Sequence, residues 1–333
     1  MTQNEGNLEV CLPWQHVQWQ RVIDLHLNAR LPHALLLSGM SGIGKSRFAL
    51  ALAHYLMCSE PQGEVACGHC RQCTFNLAGT HPDLKILEPE ESGKQIKVDH
   101  IRGLVNFLDQ TSLQGGYKIA LISPAENMNL NAANALLKSL EEPSASTLLL
   151  LITDSPSRLL PTIRSRCQSY KFNIPAVEEA TSWLTKLIPP QTDAVQLLQE
   201  SYGQPLTALA MLETDEISHR QKMSSEFIGM LKGRETPVAV AGKWLQYDLV
   251  SALEWLSRKL AAIISLRMAN KTVDDDWHEV GVKVNVQEVF RLFDQVVLLL
   301  DQLNRGANPN KQLALEELML HAYDSFRKSS PLK

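Results

Sequence analysis

Gly39-Met40-Ser41-Gly42-Ile43-Gly44-Lys45-Ser46 satisfies every fixed position of the phosphate-loop pattern G-x-x-x-x-G-K-[ST]. Its flanks supply the required context. Ala34-Leu35-Leu36-Leu37-Ser38 is a short apolar run feeding the glycines, and Lys45 to Met57 is rich in helix formers. Gly42 and Gly44 permit positive φ, so successive backbone N–H groups can converge on phosphate oxygens. Gly39 opens the turn, Lys45 would bring a point charge to the outer phosphates, and Ser46 would offer a Mg²⁺ ligand. ATP or ADP is the ligand class this loop implies.

Outward from the loop, strands alternate with helices. Leu84–Leu87, Lys118–Ile122 and the continuous apolar run Leu148–Thr153 read as strands. Val98–Leu108 and Asn131–Glu142 read as helices, the second stopped by Pro143, and Trp14–Arg30 is an earlier helical segment. The pattern implies an α/β nucleotide-binding domain, a parallel sheet with helices on both faces, over residues 1–172. Beyond Phe172 the strand signal ends. Residues 173–213 read as a small helical domain whose last helix opens at Gly203-Gln204-Pro205. Residues 214–333 read as a larger helical domain, with long helices near 248–269, 286–303 and 309–327. Asn308-Pro309 suits the cap and first turn of the last helix, and 271–285 reads as a loop.

The third strand lacks what hydrolysis needs. A phosphate-loop hydrolase requires a held Mg²⁺ and an aligned water, normally through carboxylates at this strand's end. Here Lys118–Ile122 runs into Ser123-Pro124. Glu126 lies two residues further on, and Asp99 and Asp109 lie elsewhere, so a displaced carboxylate stays open as an alternative. The loop is expected to cradle a nucleotide without splitting it.

Four of the six cysteines fall within sixteen residues. Cys67, Cys70 and Cys73 form a double C-x-x-C step, with Cys58 nine residues ahead. Four thiolates suit a closed tetrahedral Zn²⁺ site, which is structural rather than catalytic. A redox pair is the rival reading, and His69 is a competing ligand expected to face solvent. The few basic residues nearby disfavour a DNA-binding finger. After the fourth strand comes Pro161-Thr162-Ile163-Arg164-Ser165-Arg166-Cys167. An arginine presented there could stabilise phosphate charge on a neighbouring subunit, as an arginine finger does. A surface salt bridge is the plainer reading.

The 333 residues exceed one hydrophobic core, and the net charge of −4 hides no long basic block. No apolar run reaches membrane-spanning length, and the first residues lack a secretory pattern, so a cytoplasmic protein without membrane contact is expected.

Taken together, these signals resemble the clamp-loader branch of the AAA+ ATPases. The resemblance runs through Arg30-Leu31-Pro32-His33-Ala34-Leu35-Leu36, the cysteine insert and Gly79-Thr80-His81-Pro82-Asp83. It continues through Asn134-Ala135-Leu136-Leu137-Lys138-Ser139-Leu140-Glu141-Glu142-Pro143 and Ser165-Arg166-Cys167. It implies one subunit of a hetero-pentamer with motor subunits of the gamma/tau type and a clamp-opening delta subunit. That assembly loads a sliding clamp onto primed DNA. In this scheme Arg166 completes a neighbouring motor's ATP site. Motors carry an Asp and a Glu where Ser123 and Pro124 stand. They also carry an Arg near the start of the second domain's last helix, where this chain has Leu206. The resemblance therefore implies a subunit without intrinsic catalysis, polymerase activity belonging to the larger assembly. An active ATPase motor and a zinc-dependent nucleic-acid adaptor are the alternatives.

Overall fold

The computed structural model describes residues 10–91, 94–214, 216–269, 275–304 and 307–329. By internal contacts it divides into two compact units, the first ending at Glu213 and the second beginning at Thr214.

The first unit is built on five parallel strands: β1 (Ala34–Ser38), β2 (Leu84–Leu87), β3 (Lys118–Ile122), β4 (Thr147–Thr153) and β5 (Gln168–Lys171). Their order is β2-β3-β4-β1-β5, so the strand feeding the phosphate loop lies beside β4, not β3. Around the sheet run α1 (His16–Leu27), α2 (Lys45–Met57), α3 (Arg71–Leu77), α4 (Val98–Leu108), α5 (Leu130–Glu141) and the short α6 (Pro161–Arg164). Strict alternation of side chains divides the core in two. Leu35, Leu37, Ile119, Leu121, Leu148, Leu150 and Ile152 pack with Trp19 and Phe48 on one face. Leu36, Ala120, Ile122, Leu149 and Leu151 pack with Ile101, Leu104 and Leu136 on the other. Both faces are covered, which is why the strands read as unbroken apolar runs. Three further helices, α7 (Val177–Leu184), α8 (Ala194–Glu200) and α9 (Pro205–Glu213), complete this unit.

The second unit is helical: α10 (Glu216–Leu231), α11 (Pro237–Trp244), α12 (Leu249–Ala269), α13 (Asp275–Lys283), α14 (Val286–Asn304) and α15 (Lys311–Ser329). Its core centres on Phe227, Trp244, Trp255 and Trp277. Among the described residues of the whole chain, no helix is long and apolar enough to cross a membrane.

Three expectations change here. The stretch 271–285 was expected as a loop; residues 271–274 lie outside the described residues, but Asp275–Lys283 is helix. Burial decides it. Trp277 is 1% exposed, stacks on Phe227 with centroids 5.6 Å apart, and donates from Nε1 to Ser224 Oγ at 2.8 Å. The last helix is capped by Asn310, not by Asn308 with Pro309. Asn310 Oδ1 accepts from Leu313 N at 3.1 Å, the three-residue reach that an N-cap side chain requires. Helix α5 likewise starts one residue early, at Leu130, with Asn129 Oδ1 accepting from Ala132 N at 2.8 Å.

Candidate functional site

The phosphate loop joins the end of β1 to α2. Gly42 and Gly44 have φ of 70° and 91°, with Gly44 the N-cap of α2. Space demands glycine as well. A Cβ on Gly42 would meet Thr207 Oγ1 at 2.0 Å, and one on Gly44 would meet Leu12 Cδ1 at 2.3 Å. The loop is thus clasped from two sides. Trp14 Nε1 donates to Ile43 O at 2.9 Å, and Gln15 Nε2 donates to Gly44 O at 2.9 Å. On the other side the first turn of α9 closes in, with Leu206 N donating to Gly42 O at 3.0 Å. Leu206 and Thr207 bring no cation to the loop.

Lys45 is 4% exposed and its ammonium is engaged twice. It donates to Met40 O at 2.6 Å and pairs with Asp154 Oδ1, also at 2.6 Å. Asp154 is the first residue after β4, which lies beside β1. Glu126 holds the backbone there: its Oε1 accepts from Asp154 N at 2.9 Å and Ser155 N at 3.1 Å. Ser123 and Pro124 stand at the end of β3, where they offer no carboxylate. Asp99 pairs with Arg102 at 3.2 Å, and Asp109 accepts from Ser144 Oγ at 3.3 Å, so both are engaged elsewhere.

Arg166 lies at the opposite end of the sheet. It precedes β5, whose Gln168 is in register with Leu35, four residues before Gly39. At about 3.3 Å per residue, roughly 13 Å of strand separates that level from the phosphate loop. The guanidinium is half-exposed. Nη2 meets Glu141 Oε1 at 2.6 Å, and Nη1 donates to Thr162 O at 2.9 Å. From there Arg166 is out of reach of Lys45.

The four cysteines converge. Their sulfurs all lie within 4.8 Å of one another. Cys58–Cys70, Cys67–Cys73 and Cys58–Cys73 are 3.9, 3.8 and 3.6 Å apart. A regular tetrahedron with metal–sulfur bonds near 2.3 Å has edges of about 3.8 Å, so the set fits a metal ion. Backbone amides of Cys67 and Cys70 donate to Cys58 Sγ and Cys67 Sγ at 3.2 and 3.3 Å. Burial pushes the Cys73 thiol up. Burial also opposes ionisation of Cys70, but hydrogen bonds from the Cys73 and Ser59 amides and from neighbouring thiols outweigh it and bring the group to about 6. His69 faces solvent and is not in the sulfur cluster.

The insert is tied to the foot of the sheet. Gln72 donates to Gln114 Oε1 at 3.2 Å and meets His81 Nε2 at 3.0 Å. Asp83 next to it is buried and accepts from Lys118 Nζ, Leu113 N, Gln114 N and Ser112 Oγ at 2.9–3.0 Å. Burial opposes its ionisation, yet these donors hold its carboxyl below the ordinary aspartate value. Asp154, Gln15 and Thr207 are the site residues that sequence reading missed. The only signal for Asp154 was its position as the first charge after an apolar strand.

Comparisons with known proteins agree on a family. Residues 14–176 match the family described as "DNA polymerase III, delta subunit", and residues 214–323 its C-terminal counterpart. The chain is 38% identical over 317 residues to the DNA polymerase III subunit delta' of Pseudomonas aeruginosa, covering 92% of this chain and 96% of that one. It is 30% identical over 323 residues to the subunit of the same name from Escherichia coli K12, covering 92% and 94%. In fold it is similar to a gamma-subunit-related protein of Thermotoga maritima, with a TM-score of 0.53 at 20% identity, covering 92% and 99%.

Proposed function

The chain belongs to the DNA polymerase III delta-prime family of clamp-loader subunits, and on that premise we propose that it hydrolyses no ATP itself and lends an arginine to a neighbouring subunit that does. One observation carries the reading: the guanidinium of Arg166 is presented roughly 13 Å or more of strand away from the subunit's own loop. Arg166 acts in trans, supplying a planar, permanently charged donor to the ATP site of an adjacent motor subunit of the gamma/tau type. Release from Glu141 costs little, because an exposed pair contributes only about 0–1 kcal/mol.

The subunit's own pocket stays chemically silent. Ser123 and Pro124 leave no acid at the end of β3 to hold Mg²⁺ or align water. The glycine loop remains a non-hydrolytic ATP or ADP cradle built from Gly39, Gly42, Gly44, Lys45 and Ser46. Cys58, Cys67, Cys70 and Cys73 hold a structural Zn²⁺, whose charge would fix all four as thiolates and close the insert onto the foot of the sheet. The working arrangement is a nucleotide domain (1–172), a small helical domain (173–213) and an assembly domain (214–333). They serve within a hetero-pentamer of motors and delta that places a sliding clamp on primed DNA.

The test is phosphate release by the purified chain with Mg-ATP, with Lys45→Ala as control. No lysine-dependent release is expected. Lysine-dependent turnover at motor-like rates would replace this reading with that of a motor whose acid is Glu126 or Asp154.

A further inference from the structure

The Lys45–Asp154 pair has a consequence for what the loop can bind. Lys45 is buried, and two of its three ammonium donors are used inside the chain, on Met40 O and Asp154 Oδ1. An incoming phosphate needs the same ammonium. Asp154 is also held in place. Glu126 accepts from both Asp154 N and Ser155 N, so it fixes the backbone at the end of β4. The side of β4 next to β1 is where that carboxylate can face the loop, and the register pairs Ser38 with Thr153, the residues just before Gly39 and Asp154.

We infer that Asp154, positioned by Glu126, is an internal anion that competes with nucleotide phosphate for Lys45 and so sets the affinity of the loop. This rests on reading the loop as a nucleotide cradle. Two acids lie near the loop, as in a hydrolase, but their electrostatic sense is reversed. With no acid at the end of β3, Asp154 neutralises the lysine directly instead of sharing a metal with the phosphates. The competition is electrostatic: a fixed negative charge repels a polyphosphate and also holds the lysine that would attract it. Asp154 is 43% exposed, so solvent can take up its carboxylate when phosphate displaces it.

The experiment titrates the full-length chain with a fluorescent ADP analogue, once in EDTA and once in Mg²⁺, for wild type, Asp154→Asn, Glu126→Ala and Lys45→Ala. Thermal melting establishes that each variant is folded. Asp154→Asn is expected to bind about tenfold tighter or better than wild type in both conditions, a gain of about 1.4 kcal/mol per tenfold. Glu126→Ala should gain less, because it loosens the carboxylate without removing it, and it reports on the competition even if Asp154→Asn is unstable. Lys45→Ala should bind least. Equal affinity of wild type, Asp154→Asn and Glu126→Ala would overturn the competition and leave the nucleotide cradle standing. Weaker binding by Asp154→Asn in Mg²⁺ alone would make Asp154 a metal ligand, which also overturns it. Absence of binding by every variant at millimolar analogue would remove both the competition and the cradle.

Discussion

At the foot of the sheet Asp83 and Lys118 leave 0% and 2% of their side chains exposed, whereas Arg166 and Glu141 leave 35% and 50%. Both are close ion pairs, at 3.0 and 2.6 Å, so distance does not separate them. Burial and further partners do. Asp83 accepts four hydrogen bonds, and Lys118 Nζ lies 4.4 Å from the centre of the Phe107 ring. Removing either partner would leave the other as a buried charge without its counter-ion. Arg166 and Glu141 can each return to water. The buried pair is therefore fixed architecture beneath the insert, and the exposed pair is a contact that can change partner. Lys45–Asp154 is intermediate, with a buried cation and a half-exposed acid.

The largest effect on stability should come from the fixed pair. Asp83→Ala leaves Lys118 buried and unpaired and is expected to lower unfolding free energy by about 3–5 kcal/mol in denaturant titration. A loss under about 1 kcal/mol would put this pair in the same class as Arg166–Glu141.

Mild acid should act on the same region next. Burial, followed by the charge of His81, pulls His54 down from 6.5 to about 4. A depressed histidine contributes stability that is present above 6.5 and lost as pH falls from there towards 4, up to about 3 kcal/mol by linkage. His54→Gln should flatten the stability profile in that window. Asp83, also depressed, contributes stability present above its ordinary 3.8 and lost as pH falls further. The wild-type profile should therefore bend again below about 4, and the second bend should vanish in Asp83→Asn.

Cys70→Ser acts on the insert above the buried pair. Bound zinc, measured by metal analysis, should fall from about one per chain to about none. The sheet should persist with melting lowered by a few degrees, roughly what one or two kcal/mol produces at this size. Salt-sensitive DNA binding lost in the same variant would point instead to a nucleic-acid role for the insert. Smallest of all, Glu141→Ala should change stability by no more than about 1 kcal/mol. A loss above about 2 kcal/mol would mean that Glu141 anchors the fold rather than parks the arginine.

Much of the first unit could be read from sequence because parallel strands buried on both faces must be apolar throughout, as Leu148–Ile152 are. β5 was not read because it is an edge strand in which only Tyr170 is buried. Helix α13 was missed because acidic residues open it. Its core contacts, Trp277 and Val280, become visible as a pattern only once Phe227 and the α12 helix are known to face them. The phosphate loop and the four sulfurs were legible because each depends on local spacing, whereas for Arg166 local spacing indicated only a surface salt bridge, which Glu141 supplies at 2.6 Å. Asp154 was not, because its meaning depends on strand order. Only the placement of β4 beside β1 brings that carboxylate to Lys45.

If the subunit lends catalytic charge outward, removing the Arg166 guanidinium must slow a neighbour's ATP turnover. The measurement is ATP turnover by the reconstituted clamp loader, with wild-type chain or with Arg166→Ala. Turnover should fall, by up to ~10³-fold if Arg166 has the usual weight of an arginine finger, while the variant chain still assembles. Undiminished turnover in a fully assembled complex would mean that Arg166 is no arginine finger.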